Sequence, residues 1–142
     1  MKPKKILIAF QDDLRTRSLS TFFHGMGYRV ETAKIVSELI RRVRNGNIHV
    51  ILLDEEVEGV KACDLVLLLK KINDKCQIIA VSSEVPLKQA KLLREGGIFY
   101  QAMKPLDLEE IRSAVECACE KIDRESPKEG FFPFLIPSGV PA

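Results

Sequence analysis

Polar and charged side chains follow four short apolar runs of the sequence, each at the point where the run ends. An aspartate can act as a nucleophile toward a phosphoryl group and form an acyl phosphate. A lysine supplies a compact positive charge to a phosphate, and a serine hydroxyl can donate to another oxygen. Mg²⁺ needs one or two carboxylates, with waters and phosphate oxygens completing its octahedron. The candidates for this chemistry are Gln11, Asp12 and Asp13 after the first run, Asp54 after the third, Ser82 after the fourth and Lys104 after the fifth.

A parallel sheet would bring these side chains together. Five apolar runs, at 5–10, 28–32, 48–53, 77–81 and 98–103, alternate with five stretches of helical periodicity. Continuous apolar runs are typical of strands covered on both faces, and short connections favour right-handed crossovers. We therefore predict a doubly wound α/β fold, a five-stranded parallel sheet with helices on both faces. Ligands of such sheets bind beyond the carboxyl ends of the strands, where the candidates lie.

Composition limits the class of protein. The 142 residues carry a net charge of +2, with 46% hydrophobic and 30% charged residues. This balance argues against direct nucleic-acid binding, and no apolar run approaches the roughly 20 residues that span a bilayer. The basic start has too short an apolar stretch for a signal peptide, and the four cysteines form no CxxC pair. We predict a cytoplasmic protein without membrane contact, whose cysteines are small buried thiols.

Several fragments, in order and without a gap, resemble the receiver domain of two-component response regulators over about 4–122. The fragments are Lys-Lys-Ile-Leu-Ile at 4–8, Gly27-Tyr28, Ile51-Leu52-Leu53-Asp54, Ser82, Gly96-Gly97, and Lys104-Pro105 followed by Leu-Asp-Leu-Glu-Glu. The resemblance implies a flavodoxin-like sheet with strand order 2-1-3-4-5. It also implies a phosphorelay function, through a histidine kinase or phosphotransfer protein as partner. A homodimer through the face of the fourth helix, fifth strand and fifth helix is a further possibility.

Matched residue by residue, the resemblance assigns roles within the site. Asp54 matches the phosphoacceptor, Lys104 the lysine of the pocket, and Ser82 the switch residue that follows the phosphoryl group. Pro105 matches a proline that usually follows a cis peptide bond. The chain then acts by protein–protein contact, as a signalling module rather than an enzyme.

The sequence departs from the family at the metal site and at the switch. The family's metal-binding acidic pair falls on Phe10 and Gln11, and Asp12 comes one or two residues late. We predict weak or absent Mg²⁺ binding, with Asp54, Asp12 and Gln11 as the candidate ligands. The family's switch aromatic falls on Gln101, just after Phe99 and Tyr100. Glu55, Glu56 and Glu58 follow Asp54, as a solvated loop or as extra metal ligands.

Structural roles compete with several of these assignments. Asp12 and Asp13 suit the N-cap and first turn of the first helix. Lys104 could simply pair with Asp54, and Ser82 could be a turn residue. At the level of the whole chain, a phosphorylation-independent pseudo-receiver is one alternative. A small flavodoxin-like enzyme or nucleotide-binding protein is another, although 11–16 contain no glycine for a phosphate-binding loop.

The last part of the chain does not follow the strand–helix pattern. We predict a receiver domain at 1–123 and a proline-rich, apolar C-terminal tail at 124–142. Prolines exclude a regular helix there, and three phenylalanines make the tail too apolar to remain in water. We expect the tail to dock on the face of the fourth helix, fifth strand and fifth helix, in its own subunit or in a partner's.

Overall fold

The computed structural model describes residues 3–83 and 86–125. The tail from residue 126 onward, and its predicted docking, lie outside the described residues. Within the described part, the chain forms a central parallel sheet with helices on both faces. The helices are α1 (Asp13–Gly25), α2 (Val36–Asn45), α3 (Ala62–Ile72), α4 (Leu87–Gly96) and α5 (Leu108–Glu125).

The central sheet has five strands, and every pair of neighbours is parallel. The strands are β1 (Lys5–Ala9), β2 (Arg29–Thr32), β3 (Val50–Leu53), β6 (Gln77–Ser82) and β7 (Tyr100–Met103). Their order across the sheet is β2-β1-β3-β6-β7. Because β4 and β5 form a separate hairpin, β6 and β7 are the fourth and fifth strands of this sheet. The order therefore confirms the predicted order 2-1-3-4-5 and the doubly wound α/β fold. Strands β3 and β7 begin two residues after the start of their apolar runs, and the first residues of those runs, Ile48 and Ile98, pack against the core ahead of the strands.

The core lies in two layers, one on each face of the sheet. Successive residues of β3 alternate between them: Ile51 and Leu53 belong to the layer under α2, α3 and α4. Val50 and Leu52 belong to the layer under α1 and α5. All four side chains are fully buried, so β3 is apolar on both faces, as a central parallel strand requires. This burial holds the end of β3, and the residue that follows it, in a fixed position.

A small antiparallel hairpin, which was not predicted from the sequence, follows β3. It consists of β4 (Glu56–Val57) and β5 (Val60–Lys61). Its two turn residues, Glu58 and Gly59, both have positive φ angles, of 56° and 80°, as a type I′ turn requires. Val57 is fully buried between the glutamates and anchors the hairpin in the core. The segment after Asp54 is therefore an ordered hairpin, and the three glutamates at 55, 56 and 58 are exposed, as expected for solvated side chains.

The cysteines are free thiols, as expected, but they are not uniformly buried. Cys76 is buried, Cys63 and Cys119 are half-buried, and Cys117 is exposed on α5. The expectation of four buried thiols is therefore wrong for Cys117, because that position faces away from the sheet. None of the helices in the described residues is long and apolar enough to span a membrane.

Candidate functional site

Asp54 lies directly after β3, at the carboxyl edge of the sheet. The residue is only 5% exposed, and its carboxylate accepts three hydrogen bonds. The backbone N–H groups of Gln11 and Glu55 donate to Oδ2 and Oδ1, at 3.1 and 2.8 Å. Lys104 Nζ donates to Oδ1 at 3.0 Å. These donors fix the orientation of the carboxylate at the position from which a nucleophile would act.

Lys104 follows β7 and joins two carboxylates. Its backbone N–H donates to the carbonyl oxygen of Ser82, which fixes the end of β7 against the end of β6. Its Nζ contacts Asp54 Oδ1 at 3.0 Å and Glu55 Oε1 at 2.9 Å. Partial burial acts to lower the pKa of Lys104, but the hydrogen bonds and charges of Glu55 and Asp54 outweigh it and raise the pKa. The Lys104–Pro105 peptide bond is cis, as the family resemblance implied.

Glu55 and Ser83 form a second contact at this edge of the sheet. Ser83 Oγ donates to both carboxylate oxygens of Glu55, at 3.1 and 3.2 Å. The hydrogen bond from Lys104 lowers the pKa of Glu55, against the opposing effect of burial. Ser82, the predicted switch residue, is the last residue of β6 and is buried beside this contact. Ser83 was not predictable as a site residue, because its partner is a side chain from a different loop.

The remaining predicted ligands have other partners. Asp12 is the N-cap of α1, since its Oδ1 accepts the backbone N–H groups of Leu14 and Arg15 at 2.9 and 3.4 Å. Asp13, in the first turn of α1, pairs with Lys34. These contacts confirm the predicted capping role of Asp12 and engage both carboxylates, Asp12 with the start of α1 and Asp13 with Lys34.

Phe10 and Gln11 stand where the resemblance places the metal-binding acids. The Phe10 side chain is fully buried in the apolar layer under α1 and α5. The Gln11 amide donates to Lys34 O at 3.1 Å and accepts the Glu58 N–H at 3.3 Å. Receiver domains typically bind Mg²⁺ at an acidic pocket. Asp54 supplies one carboxylate here, and within the described residues no group of three His, Cys, Asp or Glu side chains could hold a metal ion. The donor set does not fit a two-acid Mg²⁺ site.

The residues around the expected switch aromatic point in different directions. Tyr100 is exposed, and its hydroxyl donates to Glu110 Oε2 at 2.6 Å. Gln101, which stands at the aromatic position, is half-buried in β7. Phe99 packs against the apolar layer under α1 and α5, and the Lys121 ammonium lies 5.9 Å from its ring centre. The Tyr100 ring, which is next to the expected position in the sequence, therefore faces α5 and solvent.

Comparison with known proteins agrees with the fold. The response regulator receiver domain family matches residues 6–116. A DNA-binding transcriptional regulator, NtrC of Azospirillum brasilense, is 32% identical over 118 residues, which are 83% of this chain and 24% of the relative. The chain thus spans about a quarter of that relative. It belongs to the receiver domain family of response regulators in two-component signalling.

Solved receiver structures have the same fold. A CheY-like receiver domain protein from Methanospirillum hungatei JF-1 superposes with a TM-score of 0.83 at 20% identity, covering 87% of this chain and 99% of that one. A beryllofluoride-activated NtrC4 receiver domain dimer gives 0.78 at 21% identity, covering 86% and 99%. Receiver domains are signalling modules rather than enzymes, and they interact with kinases or phosphotransfer proteins.

Proposed function

We propose that this receiver domain accepts a phosphoryl group on Asp54 and signals by protein–protein contact. The observation that carries the proposal is the Asp54 carboxylate, buried at the carboxyl edge and held by two backbone N–H groups and Lys104. Such an arrangement holds the carboxylate in one orientation, which a nucleophile requires. The donor would be a phosphorylated histidine of a kinase or phosphotransfer protein.

In the transfer, an oxygen of Asp54 attacks the phosphorus atom of the phosphohistidine. The P–N bond breaks, its electron pair returns to the imidazole nitrogen, and an acyl phosphate remains on Asp54. Lys104 compensates negative charge on the phosphoryl oxygens, since catalysis of phosphoryl transfer depends chiefly on positioning and charge stabilisation. The Ser82 hydroxyl, at the end of the neighbouring strand, donates to a phosphoryl oxygen.

Weak or absent Mg²⁺ binding is part of this proposal. Of the three candidate ligands, Asp54 is the one whose carboxylate does not cap α1, and a metal bound to it would compete with Lys104. Asp12 could contribute only by leaving the N-cap of α1, and Gln11 offers an amide oxygen. We therefore expect phosphorylation of Asp54 to be slow.

Replacing Gln11 with Asp should raise the affinity for Mg²⁺ about tenfold, because a second carboxylate attracts the divalent cation far more strongly than an amide oxygen does. Gln11 is exposed, so the substitution leaves the core intact. Titration of Mg²⁺ while following the backbone amide signals of Gln11, Asp54 and Glu55 measures the affinity. Gln11→Asn, equally short but neutral, should bind no more tightly than wild type. Sub-millimolar binding by the wild type would contradict the proposal.

One observation favours a second function, in which the domain works without phosphorylation. Lys104 is already engaged by both Asp54 and Glu55, so the pocket has a complete set of ion pairs in the unmodified chain. A pseudo-receiver would keep this arrangement as its working state and bind its partner through it. The two functions differ in whether Asp54 ever carries a phosphoryl group.

Beryllofluoride, which activates the NtrC4 receiver domain, distinguishes the two functions. In the presence of Mg²⁺ it should bind Asp54 and shift the amide signals of Gln11 and Glu55, which donate to that carboxylate. The amide signal of Ser83, which contacts Glu55, should shift as well. Asp54→Asn should show no such shifts. A wild-type spectrum unchanged by saturating beryllofluoride would favour the pseudo-receiver.

We further propose that the domain acts in the cytoplasm, without direct contact with nucleic acid or membrane. A dimer through the α4–β7–α5 face is the proposed assembly. Leu87, Leu92, Tyr100, Met103 and Leu108 are exposed large apolar side chains on these three elements. This concentration of exposed apolar surface supports a protein partner there.

A further inference from the structure

Glu55 lies in an oxyanion site beside Asp54. Lys104 Nζ donates to Glu55 Oε1 at 2.9 Å, and Ser83 Oγ donates to both of its carboxylate oxygens. The Ser83 backbone N–H adds a longer hydrogen bond of 3.4 Å to Oε1. An ammonium group, a hydroxyl and a backbone N–H around one anion form a donor set suited to phosphoryl oxygens. A carboxylate of the same chain occupies this set.

The same ammonium group also serves Asp54. Lys104 Nζ lies 3.0 Å from Asp54 Oδ1, so the two carboxylates share one cation. A phosphoryl group on Asp54 would extend toward the donors that hold Glu55. Two like charges beside one cation repel each other, and the donors cannot serve both anions fully.

We propose that Glu55 is an internal competitor of the phosphoryl group, holding Lys104 and Ser83 in the unmodified chain and leaving them when Asp54 is phosphorylated. This inference rests on the proposed function of Asp54. It adds a specific consequence: the oxyanion site is filled from within before any phosphoryl group arrives.

The surroundings of Glu55 allow it to leave. Its side chain is 41% exposed, so the carboxylate can turn into water. A pocket of about 230 Å³ opens beside it, lined in part by Lys61, Ser82 and Gln89. The neighbouring glutamates have other positions: Glu56 is exposed on β4, and Glu58 Oε1 accepts the Val36 N–H at 2.9 Å. Of these three glutamates, Glu55 is the one that contacts Lys104.

Glu55→Gln tests the inference, since it removes the charge and keeps the shape. In the presence of Mg²⁺, beryllofluoride should bind this variant at least ten times more tightly than it binds the wild type. Glu56→Gln, the matched control, should bind as the wild type does. The readout is the Ser83 amide signal in the full chain. Equal or weaker binding by Glu55→Gln would overturn the inference.

If beryllofluoride binds neither the wild type nor Glu55→Gln, that result refutes the proposed role of Asp54 and does not test Glu55. A second titration then tests whether Glu55 competes for the oxyanion site. With Asp54→Asn as the background, inorganic phosphate is the probe, and no covalent step is involved. Adding Glu55→Gln should tighten phosphate binding at least tenfold, again followed at the Ser83 amide. Equal phosphate affinities with and without Glu55→Gln would show that Glu55 does not compete for the oxyanion site.

Discussion

Replacing Lys104 with Met should lower the free energy of unfolding by about 3 kcal/mol at neutral pH. The buried Asp54 carboxylate would lose its counter-charge, and Glu55 would remain close to it as a second anion. Removing one partner of a buried ion pair leaves an uncompensated charge, which costs far more than the pair itself contributes. Urea unfolding of the wild type and the variant measures the difference.

A double-mutant cycle isolates the electrostatic part of this effect. In an Asp54→Asn background, most of the cost of Lys104→Met should disappear, because the buried charge is gone. Lys61→Met, at an exposed position on β5, should change stability by no more than about 0.5 kcal/mol. If Lys104→Met cost as much stability in the Asp54→Asn background as in the wild type, Lys104 would contribute through packing rather than through its pairing with Asp54.

Phe23→Ala should destabilise the domain by about 4 kcal/mol, the largest effect that we expect from a single core residue. The Phe23 side chain is fully buried in the layer under α1 and α5. Its ring meets those of Phe22 and Tyr28 edge to face, with centres 5.1 and 5.7 Å apart. Truncation leaves a cavity and removes both aromatic contacts.

The matched control for Phe23 lies in the same helix. Leu14 is 73% exposed, so Leu14→Ala should change the free energy of unfolding by no more than about 0.5 kcal/mol. Thermal or urea unfolding of both variants provides the comparison. If Phe23→Ala cost no more than Leu14→Ala, the packing of α1 on the sheet would differ from that described.

The sheet was predictable because its central strands are continuous apolar runs. The strand that ends at Leu53 is buried on both faces, so its residues are all apolar. Such a continuous apolar run predicts a central parallel strand from the sequence alone. The hairpin of β4 and β5 was not predictable in this way. Its strands have two residues each, too few to show a period, and its turn reads Glu58-Gly59 rather than the Asn-Gly or Asp-Gly signal.

The site was predictable where it depends on strand ends. Asp54 and Lys104 each follow a strand, and parallel strands present their carboxyl ends at one edge, so their 3.0 Å contact follows from topology. The contact of Glu55 with Ser83 depends on side-chain positions in two loops, which no sequence spacing encodes. For Asp12, the sequence allowed both a cap and a metal ligand. The structure confirms the cap, and the metal role stays a prediction.

The mass of the intact chain after incubation with acetyl phosphate and Mg²⁺ tests the central claim most directly. We predict that the wild type gains one phosphoryl group, slowly, and that Asp54→Asn gains none. Asp13→Asn, which removes the carboxylate that pairs with Lys34, should still be modified. A receiver domain with an intact acidic pair serves as the positive control. An unmodified wild-type chain beside a phosphorylated control, or a phosphoryl group retained by Asp54→Asn, would contradict the assignment of Asp54 as phosphoacceptor.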